Sequence, residues 1–122
     1  MHKALSALTL TGLSLGSLAV SEPAAAHHSF ALFDITKTVS LQGTVKQFDW
    51  TNPHSWIKLD VVGPQAGEWM IELPAAAALA RQGLTKNFLK VGDKVILRVN
   101  PLKDGGKGGI IESFAQQTGG AP

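Results

Sequence analysis

The chain contains no cysteine among its 122 residues. That excludes a disulfide scaffold, a Cys-ligated zinc module and an iron–sulfur protein. Charge is sparse as well: only 16% of residues are charged, and 11 Lys and Arg against 9 Asp and Glu leave a net +2. So weak a balance is no signature of nucleic-acid binding, despite a pI of about 9.1. Catalytic signatures are missing too, since there is no G-x-S-x-G, no H-E-x-x-H, no phosphate-binding P-loop and no dinucleotide fingerprint. Asp34, Asp49, Asp60 and Glu72 stand in separate segments, with nothing pairing them as an acid and a base. No enzymatic reaction follows from these residues.

What is present begins with an address. Met1-His2-Lys3 is a short positive start, Ala4 to Val20 carries no charge, and Ser21 to Ala26 ends in the small-x-small pattern Ala24-x-Ala26. This reads as a secretory signal peptide over residues 1–26, cut after Ala26. A membrane span is disfavoured, because the uncharged stretch includes Gly, Ser and Thr and is shorter than the roughly 20 apolar residues a span needs. No lipobox cysteine and no Arg-Arg pair are present. The expectation is export by the general pathway to a bacterial periplasm, with no stable membrane anchor after cleavage. The mature chain, residues 27–122, is one domain whose strands must all share one small core.

Within it, hydrophobic alternation predicts five strands. Thr38 to Val45 places Val39, Leu41 and Val45 on one face, with Gly43 at a close approach or bend. The parity then changes at Phe48 and Trp50, which predicts a bulge near Lys46 and Gln47. Ser55 to Val62 and Glu68 to Leu73 form a hairpin around Gly63 to Gly67. Pro74 opens an alanine-rich helix, Ala75 to about Gln82, stopped by Gly83. Lys94 to Asn100 and Ile110 to Ala115 supply strands four and five around a glycine-rich hairpin tip, and a frayed tail follows from Gln116. Three strands, a helix and two strands predict a mainly β fold: a small, five-stranded, OB-like antiparallel barrel with one short helix between strands three and four.

The chemistry concentrates in histidine. His2 leaves with the leader, so His27, His28 and His54 remain, and cleavage after Ala26 makes His27 the first residue. An N-terminal His chelates metal through its α-amine and Nδ1, and imidazole favours Cu, Zn and Ni, with Cu(II) the tightest divalent binder. A second imidazole opposite the first completes the three-nitrogen copper site called a histidine brace. His54, after the Thr51-Asn52-Pro53 turn, is the remote partner, whereas His28 could wrap the same ion locally. Cutting after Ala25 would instead give Ala26-His27-His28, a terminal copper or nickel chelate. Zinc is the weaker candidate, because a catalytic zinc site wants three side-chain ligands at fixed positions. A thioether shuttle for Cu(I) is disfavoured, with Met70 the only methionine left after cleavage.

Trp50, Asn52 and Trp56 flank the same turn and could shield a metal or form a stacking shelf for a flat ligand; packing is the competing role. For Trp69, packing is the favoured one.

The runs Ala26-His27-His28-Ser29-Phe30-Ala31-Leu32-Phe33-Asp34, Leu41-Gln42-Gly43-Thr44-Val45 and Thr51-Asn52-Pro53-His54-Ser55-Trp56 resemble a family of small exported bacterial proteins of unknown function. The likeness continues through Glu68-Trp69, Arg81-Gln82-Gly83-Leu84, Val91-Gly92-Asp93 and Asn100-Pro101-Leu102-Lys103-Asp104-Gly105. It implies export and a small β domain. Two functional readings stand side by side: a periplasmic copper-handling protein using His27, His28 and His54, and a metal-free module that binds a cell-envelope ligand or protein partner around Trp50, Asn52, His54 and Trp56. The N-terminal brace is shared with copper monooxygenases, but those resemble larger immunoglobulin-like sandwiches, often with an axial Tyr or Phe, and this chain has no Tyr.

Overall fold

A computed structural model describes residues 30–118. Residues 1–29, which include His27 and His28, and the last four positions lie outside the described residues. Five strands, β1 (Val39–Asp49), β2 (Ser55–Val62), β3 (Gly67–Leu73), β4 (Lys94–Pro101) and β5 (Gly108–Thr118), close into a barrel in the order β1-β2-β3-β5-β4. One helix, α1 (Ala76–Arg81), sits between β3 and β4. No helix among the described residues is long and apolar enough to cross a membrane.

The barrel is the five-stranded, mainly antiparallel one expected, with the helix between its third and fourth strands and one ladder that is parallel. Four strand pairs run antiparallel, but β3 meets β5 in parallel, through Met70↔Gly108, Ile71↔Gly109 and Glu72↔Ile110. The reason is parity. Strand direction cannot alternate all the way around a closed ring of odd membership, so at least one ladder must be parallel.

The alternation read from the sequence describes the core. Leu41, Val45, Ile57, Leu59, Val61, Trp69, Ile71, Leu73, Val95, Leu97 and Val99 are buried inside the barrel, joined by Leu79 of α1 and by Leu89. Truncating one such leucine to alanine typically costs about 2–5 kcal/mol, so this inward set dominates stability. The β1 bulge lies where the parity change puts it: Val45 pairs with Leu59 and Gln47 with Lys58, leaving Lys46 as the extra residue. Phe48 can therefore pack on the core from an even position. At Gly43 a side-chain carbon would collide with the Asp60 carbonyl oxygen and with Leu59, so β1 and β2 approach as closely as they do only because no Cβ intervenes.

The extent of β5 was not foreseen. Strand β5 runs to Thr118, pairing Gln116 with Ile96 and Thr118 with Lys94, where a frayed tail was expected. It stays in register around the barrel through two irregularities against β4, between Ile96 and Leu97 and between Arg98 and Val99. Such bulges bend a strand and raise its twist, which a long strand on a tight barrel requires.

Candidate functional site

His54 is held at the barrel rim by a loop that leaves its backbone little freedom. Thr51 Oγ1 donates to the His54 carbonyl at 2.5 Å, and Ser55 Oγ donates to the Thr51 carbonyl at 3.2 Å. The Ser55 amide donates to the Pro74 carbonyl at 3.2 Å, which ties the loop to the end of β3. The Asn52–Pro53 peptide is cis.

The His54 side chain meets a carboxylate. Its Nδ1 lies 3.1 Å from Glu72 Oε1, and the Glu72 side chain is only 7% exposed against 30% for His54. Glu72 belongs to the outward set of β3, opposite Trp56 on β2 and beside Ile110 on β5. An outward residue is buried here because the chain preceding β1 crosses the outside of the barrel. Phe33 is 4% exposed and bridges Leu102, the Asp34 amide donates to the Pro101 carbonyl at 2.8 Å, and the Lys103 amide donates to the Leu32 carbonyl at 3.0 Å. Asn100 Nδ2 adds a bond to the Lys37 carbonyl at 2.7 Å.

That crossing segment makes two apolar pockets, with Glu72 in the wall of both. The first, about 250 Å³, is lined by Phe30, His54, Glu72, Leu73, Pro74, Ile110 and Ile111. The second, about 200 Å³, includes Leu32, Phe33, Trp56, Met70 and Leu102. Phe30, the first described residue, thus shares a pocket with His54. His27 lies three positions before Phe30 in sequence, a separation that an extended chain spans in roughly 10 Å.

The residues singled out in the sequence therefore separate. His54 lines the first pocket and Trp56, half-buried, lines the second. Trp50 packs on the core and meets Phe48 edge-on, with ring centroids 6.1 Å apart. Asn52 Oδ1 accepts the Ala77 amide at 3.1 Å, capping a helix whose own N-cap residue, Ala75, supplies no side-chain bond. Trp69 is buried in the core, its Nε1 donating to the Gln65 carbonyl at 2.8 Å. His27 and His28 lie outside the described residues, among which no group of three or more His, Cys, Asp or Glu side chains could hold a metal.

The partner that sequence reasoning missed is Glu72. It stood as a lone carboxylate because spacing along the chain does not show what faces it. Hairpin arithmetic carried the signal: Ser55 pairs with Leu73, which puts His54 opposite Pro74 and diagonal to Glu72 on the same outer face.

The model of a family of unknown function, DUF6152, matches residues 16–113, and the chain belongs to that family. The matched span takes in His27, His28 and His54. No curated protein and no solved structure gives a significant match.

Proposed function

We propose that this DUF6152 protein, exported to the periplasm and cut after Ala26, is a Cu(II)-binding, copper-handling protein. The ligands are the His27 α-amine and imidazole together with the His54 imidazole, with His28 as the competing local ligand. Copper is preferred over zinc on the donor set, which is three nitrogens of which one is a terminal amine.

One observation carries the reading: the chain reaches Phe30 in the same pocket as His54, so a terminus three residues further on is within reach of that imidazole. His54 Nδ1 is engaged by Glu72, while no hydrogen bond from the described residues falls on Nε2. The surrounding wall is apolar, and such a shell limits competition from water.

The test is Cu(II) titration of exported protein whose intact mass shows His27 as the first residue, followed by electron paramagnetic resonance. One tightly bound ion with nitrogen hyperfine structure is expected, changed by His27→Ala and by His54→Ala and unchanged by His28→Ala. A wild-type spectrum after His54→Ala would place copper on the terminus alone and reject the brace.

The metal-free reading, a module for a cell-envelope ligand, is favoured by Trp56, which lines the second apolar pocket with Phe33 and Met70. It takes over if the processed protein binds no copper stoichiometrically.

A further inference from the structure

Burying a carboxylate is costly unless hydrogen bonds compensate. The core does not ask for one at position 72, since Trp69, Ile71 and Leu73 carry the inward face of β3. Glu72 points the other way, into a region walled by Phe33, Trp56, Leu73 and Ile110, and there it meets the ring of His54. A carboxylate accepts hydrogen bonds and an imidazole has one donor when neutral, so a hydrogen bond across the 3.1 Å between Glu72 Oε1 and Nδ1 requires the hydrogen on Nδ1. The lone pair is then on Nε2. Apolar surroundings strengthen such a bond, and the anchored 51–55 loop keeps the ring from following its partner elsewhere.

We infer that Glu72 is a positioning residue: it accepts the Nδ1 hydrogen of His54 and so holds the imidazole as the tautomer that presents Nε2 to a metal ion at the pocket shared with Phe30. The inference rests on the copper reading for its purpose, but the tautomer itself does not depend on metal. Carboxylates that orient ligating histidines in this way typically matter by about 10–100-fold in metal affinity.

Two measurements separate this inference from the copper reading. Long-range nitrogen–proton correlation spectra of the exported, metal-free protein, recorded where the imidazole is neutral, should show His54 protonated at Nδ1. In Glu72→Ala, and less completely in Glu72→Gln, whose amide oxygen is a weaker acceptor, the population should move toward the Nε2-protonated form that free histidine prefers. Copper affinity should fall about 10–100-fold in Glu72→Ala and by less in Glu72→Gln, with the thermal unfolding midpoint of Glu72→Gln close to wild type. A wild-type ring protonated at Nε2 overturns the inference without recourse to any variant. It is also overturned if Glu72→Ala binds copper as tightly as wild type while His54→Ala does not; the copper reading then survives. If instead His54→Ala leaves copper binding intact, copper sits on the terminus alone, the brace is rejected, and the Nδ1 tautomer alone decides the role of Glu72.

Discussion

Asn52 and Ala77, 25 positions apart, are joined by a hydrogen bond of 3.1 Å from the Ala77 amide to the Asn52 side-chain oxygen. The loop that carries His54 is therefore also the N-terminal cap of α1. The Ala76 amide adds a bond to the Thr51 carbonyl at 2.9 Å, so two of the helix's exposed donors are satisfied from across the fold. Asn52→Ala removes the side-chain acceptor and should destabilise the protein by about 1 kcal/mol, read by chemical denaturation, whereas Asn52→Asp should retain most of it. Equal losses in the two variants would show that the oxygen is not what matters.

Phe33 fastens the crossing segment to the outside of the barrel through Leu102 and does not belong to the inner core. Phe33→Ala should therefore loosen that segment locally before the barrel melts. Hydrogen exchange at the Asp34 and Lys103 amides should accelerate, and, on the proposed copper reading, affinity should fall because Phe30 is no longer held beside His54. Wild-type exchange rates at both amides would remove Phe33 from its anchoring role.

Asp34 closes the turn that follows the crossing. Thr36 Oγ1 donates to Asp34 Oδ1 at 2.6 Å, and Lys37 Nζ lies 3.2 Å from Oδ2. The Thr36 hydroxyl first, and Lys37 second, hold the carboxyl below its ordinary value of 3.8. A carboxyl lowered by folding favours the folded state above its unfolded value, and that contribution disappears as the pH falls through the folded value. Thr36→Val should raise the Asp34 midpoint toward the ordinary one in a carboxyl-detected NMR titration. It should also shrink the acid-side loss of stability below about pH 4. An unmoved midpoint would shift the credit to Lys37.

Strand positions were legible because alternation is local: a residue and the one two places on share a face whatever the rest of the chain does. Leu41 and Val45 inside, the extra Lys46, and Gly43 beneath the Asp60 carbonyl all follow from that period. The helix was legible from Pro74 and Gly83, but its cap was not, because Asn52 comes from a different loop. Histidine was legible as the residue type to watch, since an imidazole can ligate a metal wherever it stands, although its neighbour decides which nitrogen is offered.

Pairing across space was a different matter. A period of two places Glu72 on the outer face of β3, which in an isolated sheet would be solvated; it cannot say that Phe33 and β5 enclose that face. Burial turns an ordinary glutamate into a group that must find a partner, and the hairpin register supplies His54 at 3.1 Å. The amino-acid order alone thus determined the elements and the inward residues, because those depend on neighbours a few positions away. The meeting of His54, Glu72 and Phe30 was decided only by closing the barrel and laying the preceding segment over it, because contacts between distant positions exist only once the chain has folded back on itself.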